Sequence, residues 1–231
     1  MRNKLKRINQ TGYQVGSACA LVLLLVGAAA AQNPPGGAEV LKKANSRPSE
    51  STTQRKADPF AEASVEKMTG QCVTLNTEQG AIEIEMLPAK APEMVRNFLN
   101  LAAVGALDTT TFSRVVKGFV IQGGMLSTSE KWNADLAARS IHHTPDEPSD
   151  LRHVRGVVSM ARTEEPNSVT THFFILVGDG PHLDGKFSAF GRVVRGMEVA
   201  DTINRAPTEG DKPIVAVRIN HATVAPCSKD K

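Results

Sequence analysis

Residues 112–124 read FSRVVKGFVIQGG and set an arginine and a glutamine among apolar, β-branched residues. The two apolar runs flank Lys117-Gly118, a pair that favours a turn between short strands. Arg114 and Gln122 are eight residues apart, so both can share one face with Phe119 if the segment folds back. An arginine inside such a strand is costly unless its charge has partners or a purpose. The residues alone leave two interpretations open: a structural arginine bonded to backbone carbonyls, or a functional one.

The flanking sequence predicts a mainly β domain. The runs at 72–75 and 81–87 lie on either side of Gln79-Gly80, and the second alternates apolar and charged residues, which predicts a β-hairpin. Further short apolar runs predict strands at 111–116, 119–122, 156–161, 173–177, 187–194 and 214–224. Several short strands with two helices indicate an antiparallel barrel or sandwich with helical caps.

Two helices are predicted beside these strands. Pro92 and Glu93 are typical of a helix's first turn, and an apolar stripe follows them with helical spacing. The residues of that stripe are Val95, Phe98, Leu99 and Ala102. A second short helix is predicted at 197–204, after Gly196. The long, polar segment at 125–155 is predicted to be an irregular loop, of a length that is usually functional or mobile.

The charge of the chain is concentrated at its N-terminus. The 231 residues carry a formal charge of +3, which on its own would suit a nucleic-acid or membrane partner. Residues 1–31, however, hold four of the 27 basic residues and none of the 24 acidic ones. Without them 23 basic residues stand against 24 acidic ones, a formal charge of −1, and no nucleic-acid binding is expected.

The same N-terminal residues are typical of a signal peptide. A basic start is followed by an uncharged run at 18–31 that ends in four alanines, a suitable site for cleavage near Ala31 or Gln32. An uncleaved anchor is the alternative, but this run is shorter than the roughly 20 residues that a spanning helix needs. Cys19 precedes the apolar core, whereas a lipidated cysteine should follow it. We therefore expect export, with no stable membrane insertion after cleavage.

Residues 32–68 are rich in Pro, Ser, Thr and Lys and lack a sustained hydrophobic period. They predict a disordered tether. The folded domain is then expected at 69–228.

Several kinds of catalytic or cofactor site lack support in this sequence. The six histidines show no metal-ligand spacing, there is no CxxC pair, and there is no G-x-S-x-G nucleophile elbow. Residues 180–186 match the GxxxxGK of a phosphate-binding loop, but Phe187 follows and a strand stands where a helix is needed. We expect neither a metal nor a cofactor.

The segment at 112–124 resembles the cyclophilin signature F-x-R-[VI]-[VI]-x-x-F-x-x-Q-G-G. Further matches follow in the order of that family: GVVSMAR at 156–162, THFFI at 171–175, LDGK at 183–186 and FG at 190–191. The resemblance covers about residues 70–225. It implies a bacterial, exported, cyclophilin-type peptidyl-prolyl cis-trans isomerase with a closed eight-stranded antiparallel β-barrel capped by two α-helices.

The resemblance also implies a role for individual residues. Arg114 is the donor that stabilises the twisted imide of an X–Pro bond, and Gln122 orients it. An apolar pocket for the proline ring is formed by Phe119, Val120, Phe174 and Leu183. The groove for the preceding peptide is lined by Ala161, Arg162 and His172, and Phe187 lies on the pocket rim.

Five positions depart from the family pattern. Val120 stands where Met is common, and Phe187 where many members have His. His172 replaces Gln and Arg162 replaces Asn, and these two changes in the groove wall leave the peptide preference open. His182 replaces the Trp or Phe that favours cyclosporin, so weakened inhibition is expected. Catalysis is expected to survive all five changes.

The resemblance brings the first and last strands side by side, and with them Cys72 and Cys227. An oxidising compartment would allow a disulfide between them. Two free thiols are the alternative.

Three functions are weighed. The first is an active isomerase that assists folding of proline-containing clients as a monomer, in the periplasm or otherwise secreted. The second is a non-catalytic, cyclophilin-like module that binds Pro-containing segments, although such a module has no need of Arg114. The third is a small-molecule-binding barrel, which would need a hollow interior where this sequence supplies Val, Ile, Leu and Phe.

Overall fold

The computed structural model describes residues 57–228. Eight of the strands in this part of the chain are β1 Gln71–Thr77, β2 Gly80–Met86, β3 Arg114–Val116, β4 Val120–Gly123, β5 Val157–Met160, β6 Phe173–Leu176, β7 Ala189–Arg195 and β10 Ile219–Pro226. They form one antiparallel sheet in the order β10-β1-β2-β7-β5-β6-β4-β3. A separate two-stranded hairpin consists of β8 Thr208–Glu209 and β9 Lys212–Pro213.

Four α-helices accompany the sheet within the same residues: α1 Val65–Met68, α2 Pro92–Ala103, α3 Ala134–Ser140 and α4 Met197–Arg205. Helices α2 and α4 confirm the two predicted from sequence. Every residue of the predicted stripe on α2 is buried. Helix α3 lies within the segment that was expected to be an irregular loop, and Asn133 caps it by accepting a hydrogen bond from the Leu136 N–H.

The prediction of a closed barrel is wrong: the sheet is a strongly curled half-barrel. Within residues 57–228 no strand ladder joins its edge strands β3 and β10. The gap is crossed by an isolated bridge between Thr111 and Arg218 and by three backbone hydrogen bonds that join residues 109–112 to residues 217–219. The outer edge of β3 is already occupied, because the Val115 N–H donates to the Asp211 carbonyl at 2.7 Å. The β8–β9 hairpin therefore occupies part of the outer edge of β3.

Strand alternation gives the sheet two apolar faces. Ile121, Phe173 and Ile175 belong to the main core, whose aromatic centre packs Phe98 of α2 against Phe173 and Phe190, with ring centroids 5.1 and 4.9 Å apart. Their neighbours in sequence point to the other side. There Val120, Val157, Phe174, Leu176, Leu183 and Ala189 form a second buried cluster. The second cluster is the one that concerns function.

The folded body begins earlier than the expected boundary at residue 69. Met68 and Ala63 are buried in the main core, and Phe60 packs against it. The Phe60 N–H donates to Asn100 Oδ1 at 2.8 Å, and Arg96 donates to the Ala63 carbonyl at 2.9 Å. Residues 57–68 are thus packed on α2, which corrects this end of the predicted tether, while its residues 32–56 and the expected leader lie outside the described part of the chain.

Between residues 57 and 228 we find no helix with the length and apolar character needed to cross a bilayer.

Candidate active site

Four side chains on adjacent strands form one row across the second apolar face. Arg114 is paired in register with Gln122, Gln122 with Phe174, and Phe174 with Ser159. Directly paired residues on neighbouring antiparallel strands point to the same side of the sheet. The two polar residues that sequence analysis placed together are therefore neighbours, and an aromatic side chain adjoins them.

The guanidinium of Arg114 is held from two sides. Its Nη1 lies 3.4 Å from Gln122 Oε1, while Nε and Nη2 donate to Asp211 Oδ2 at 3.1 and 2.8 Å. The side chain keeps 46% of its surface exposed, so it borders solvent and the apolar face together. The interpretation of Arg114 as a structural residue bonded to backbone carbonyls does not fit these contacts, since its described partners are side chains.

The predicted pocket residues lie together in the second cluster. Val120, Phe174 and Leu183 are buried in it, and Phe119 and Phe187 are partly buried against it. Phe174 and Phe187 meet edge to face with centroids 6.0 Å apart. His182 packs on Phe119 at 5.4 Å. The result is an apolar surface next to Arg114, open on the side where Phe119 and Phe187 are only partly buried.

The predicted groove residues lie at one side of this surface. Ala161 packs against the second cluster, and its N–H donates to the His172 carbonyl at 2.9 Å. Burial lowers the pKa of His172, which keeps the imidazole neutral at neutral pH. The groove wall at His172 is therefore a neutral, half-buried ring. A charged ring at this position would attract or repel charged side chains of the peptide.

Arg162 has a different environment from the one its position suggested. Its guanidinium lies over the Phe187 ring at 5.1 Å and donates to the carbonyls of Thr163 and Glu164 at 2.9 and 3.2 Å. Its Nε lies 3.5 Å from Asp146 Oδ2. The side chain thus fixes the loop beside the rim and supports Phe187.

Comparisons with known proteins identify the family. The model of the family "Cyclophilin type peptidyl-prolyl cis-trans isomerase/CLD" matches residues 72–224. The chain belongs to the cyclophilin family. It is a peptidyl-prolyl cis-trans isomerase, as are the relatives that it matches.

Three comparisons show the extent of the likeness. Peptidyl-prolyl cis-trans isomerase A of Dickeya dadantii is 41% identical over 150 residues, covering 63% of this chain and 77% of its own. A Dictyostelium discoideum isomerase is 39% identical over 158 residues, covering 68% of this chain and 99% of its own. A crystal structure of a Cryptosporidium parvum cyclophilin-type isomerase, obtained in the presence of the dipeptide Ala-Pro, has a TM-score of 0.59 at 30% identity. It covers 67% of this chain and 98% of its own.

Sequence analysis missed a buried histidine behind the pocket of this cyclophilin. His153 is 1% exposed and lies parallel to Phe174, with centroids 6.5 Å apart. Its Nδ1 lies 3.1 Å from Asp184 Oδ1 and its Nε2 3.2 Å from Ser159 Oγ. Since a carboxylate only accepts, Nδ1 carries the proton and Nε2 accepts from the serine hydroxyl. The ring therefore links the strands under Phe174 to the loop that carries Leu183.

Burial is the largest influence on this histidine and lowers the pKa of His153, while the hydrogen bond to Asp184 opposes the shift. In return, the backbone N–H of His153 donates to Asp184 at 2.7 Å and is the main reason that the pKa of Asp184 is lowered. A serine, a histidine and an aspartate in contact resemble a hydrolase triad, but Ser159 is fully buried and does not reach solvent. Its part here is support for the pocket.

No sequence signal pointed to Asp211, which lies 97 residues from Arg114 in the chain. Only the register of the sheet and the position of the β8–β9 hairpin bring the two together.

Cys72 and Cys227 are bonded in the structure, with Cα atoms 4.8 Å apart. The Cys227 N–H also donates to the Gly70 carbonyl at 2.9 Å. The bond joins the start of β1 to the end of β10.

Proposed function

We propose that this cyclophilin isomerises X–Pro bonds in exported polypeptides, and that Arg114 lowers the barrier by donating a hydrogen bond to the imide nitrogen. Rotation about a peptide bond faces a barrier of roughly 18–20 kcal/mol, because the nitrogen lone pair is delocalised. Uncatalysed exchange at X–Pro bonds takes tens to hundreds of seconds. No bond is made or broken, so the reaction needs neither a nucleophile nor a redox group.

The placement of Arg114 beside the apolar cluster is the observation that carries the proposal. A proline ring seated on Phe119, Val120 and Phe174 would bring its imide nitrogen next to the row that contains Arg114. In the planar ground state that nitrogen has no lone pair to offer. In the twisted state it has one, so the hydrogen bond from Arg114 exists only at the top of the barrier and raises the rate.

Gln122 supports the orientation of this donor. Its Oε1 faces Nη1 of Arg114, and its strand partner Phe174 forms a wall of the pocket. The C. parvum relative, whose crystal structure was obtained with Ala-Pro, supports a site that accepts a small residue before proline.

Export of the protein is part of the same proposal. It is supported by the sequence of residues 1–31, with its basic start and uncharged core, and by the bond between Cys72 and Cys227, a modification typical of oxidising compartments. The clients would then be unfolded chains outside the cytoplasm, in the periplasm of a cell with two membranes.

A coupled isomerisation assay on Ala-Pro peptides tests the role of Arg114. We expect Arg114→Ala to lower kcat/KM by about 100- to 1,000-fold, the usual cost of removing one donor from a transition state. Peptide binding, measured by NMR titration, should persist because the apolar pocket is intact.

The matched control is Arg192→Ala on β7, which removes another exposed arginine paired with a carboxylate, here Glu85 at 2.9 Å. It should leave the rate within about twofold of wild type. Full activity in Arg114→Ala would refute the proposed donor, and binding without turnover in the wild type would favour the non-catalytic module.

A further inference from the structure

The turn of the β8–β9 hairpin places a carboxylate against the guanidinium of Arg114. One oxygen, Oδ2 of Asp211, accepts from both Nε and Nη2, at 3.1 and 2.8 Å. On the opposite side, Gln122 Oε1 faces Nη1 at 3.4 Å. Each of the three nitrogens thus has a protein partner.

Asp211 is itself fixed by its backbone. Its carbonyl accepts a hydrogen bond from the N–H of Val115, the residue that follows Arg114 in β3, at 2.7 Å. Gly210, which precedes Asp211 in the same turn, has φ +58°, a left-handed conformation that suits glycine. At the base of the hairpin, the Ile214 N–H donates to the Pro207 carbonyl at 2.9 Å. The carboxylate is therefore presented by a turn docked on the strand of Arg114.

We propose that Asp211 is a positioning residue for the isomerase reaction. A guanidinium has five N–H groups, and three of them are engaged by Asp211 and Gln122. The two that remain, one on Nη1 and one on Nη2, are held in a fixed direction for the imide nitrogen. This inference rests on the proposed role of Arg114 and adds to it a partner that limits the side chain to one orientation.

A contribution to stability does not account for the pair. The side chains of Arg114 and Asp211 are 46% and 52% exposed, and ion pairs so open to solvent contribute little to folding. An arginine that is half in solvent, on the other hand, samples many rotamers unless it is held. The expected effect of losing Asp211 is therefore on the rate of the twisting step.

The test compares steady-state kinetics of Asp211→Ala, Asp211→Asn and Asp211→Glu on Ala-Pro peptides. Asp211→Ala should lower kcat by about 10-fold, since a misdirected donor is costly, and leave KM within twofold. Asp211→Asn, a neutral acceptor, should lose less, and Asp211→Glu should restore part of the rate. The backbone bond to Val115 persists in all three, so thermal unfolding should stay within about 2 °C of wild type.

Two further variants distinguish the positioning of Arg114 from a general effect of surface charge on the rate. Asp201→Asn removes the charge from another arginine-bound carboxylate, which pairs with Arg155 at 2.7 Å, and should leave kcat unchanged within about twofold. In an Arg114→Ala background, Asp211→Ala should cause no additional loss, because there is no guanidinium left to hold.

The outcomes are distinguishable. If Arg114→Ala is inactive and Asp211→Ala has wild-type kcat, the positioning role is wrong and the proposed function stands. A rise in kcat on Asp211→Ala would mean that the carboxylate competes with substrate, and a rise in KM alone would mean that it contacts the peptide. Either result overturns the inference. If Arg114→Ala keeps full activity, the proposed donor fails first.

Discussion

Two histidines near the active site are held neutral by burial. The rings of His153 and His172 each lose water on folding, and this lowers the pKa of both. For His153 the nearby His182 adds to the effect, while Asp184 works against it. In the unfolded chain both rings regain an ordinary pKa near 6.5.

This difference predicts how stability depends on pH. Below about pH 6.5 the unfolded chain binds protons that the folded protein does not. The free energy of unfolding should therefore be highest above that pH and should decrease as the pH is lowered towards 5. Each histidine can contribute at most about 1.4 kcal/mol per pH unit. Urea unfolding of wild type and His172→Gln between pH 5 and 7.5 checks this, and the variant should show a smaller slope.

His221, exposed on β10, supplies the matched control. Its replacement by glutamine should leave the slope at the wild-type value, since an exposed ring keeps its water in both states. Equal slopes for wild type and His172→Gln would contradict the assignment of the pH dependence to burial of that ring.

At the scale of single residues, the sequence predicted the pocket better than its surroundings. Phe119, Val120 and Phe174 were assigned through a family resemblance. Strand alternation brings Val120 and Phe174 to one face, and Phe119 packs against them from the turn before β4. Asp211 and His153 were missed because their roles depend on contacts across long stretches of chain, which no local pattern contains. For Arg162, the carbonyls and the Phe187 ring that engage its side chain depend on the conformation of a loop.

Among the elements, helix α4 is tied to the β3–β4 hairpin by one side chain. Asn204 accepts from the Gly118 N–H at 2.8 Å and donates to the carbonyls of Val116 and Val120 at 2.8 and 3.1 Å. These three backbone groups surround the turn between Arg114 and Gln122. Helix α4 thus helps to set the shape of the hairpin that carries Arg114 and Gln122.

Asn204→Ala should therefore destabilise the protein by about 2–4 kcal/mol, since three hydrogen bonds are lost, one of them buried and two partly buried. Chemical denaturation measures the change. Asn97→Ala, which removes a single bond to the Thr170 carbonyl, should cost only about 1 kcal/mol. If the two variants are equally destabilised, Asn204 does not have the special role assigned to it.

The elements that sequence predicted well have strong periodic patterns. Helix α2 has a full apolar stripe, and β1 and β2 show a hairpin that the register from Cys72–Glu85 to Thr77–Gly80 bears out. Helices α1 and α3, of four and seven residues, are too short for a periodic signal. The strand expected at 214–224 begins only at Ile219, because the backbone at 214–218 leads from the β8–β9 hairpin to the sheet edge.

For the whole molecule, the disulfide closes the chain over nearly all of its folded length. Cys72 and Cys227 are 155 residues apart, and the chain-entropy model assigns a loop of that size about 5 kcal/mol. Because the bond lies at the β1–β10 end of the sheet, its loss should affect stability without altering the row at Arg114.

Reduction is therefore expected to lower the free energy of unfolding by up to about 5 kcal/mol and to leave kcat/KM within twofold under native conditions. Denaturant titrations with and without reductant, together with free-thiol counts, measure this. Cys72→Ala/Cys227→Ala is the control, and it should match reduced wild type and be insensitive to reductant. Protein from the cell envelope that shows two free thiols before reduction would contradict the proposed oxidising location.

Global closure was the feature that sequence misjudged. Nothing in the residues of β3 shows that its outer edge is taken by the Asp211 carbonyl. Nor does the composition of residues 57–68 show that Phe60, Ala63 and Met68 complete the core under α2. The predicted domain boundary followed the change in composition near residue 69. The folded domain begins earlier because a few apolar residues before that point pack on it.

The sheet order has a consequence in time. Strand β1 is made early, yet one of its two neighbours is β10, and roughly 7–30 s of synthesis separate them at 5–20 residues per second. During that interval only β2 is available to pair with β1. The β8–β9 turn that holds Arg114 is synthesised almost a hundred residues after Arg114. The pairing of β1 with β10 and the contact of Arg114 with Asp211 both join early parts of the chain to late ones, so they are among the last to form. The contacts of Arg114 with Asp211 therefore form only when the chain is nearly complete.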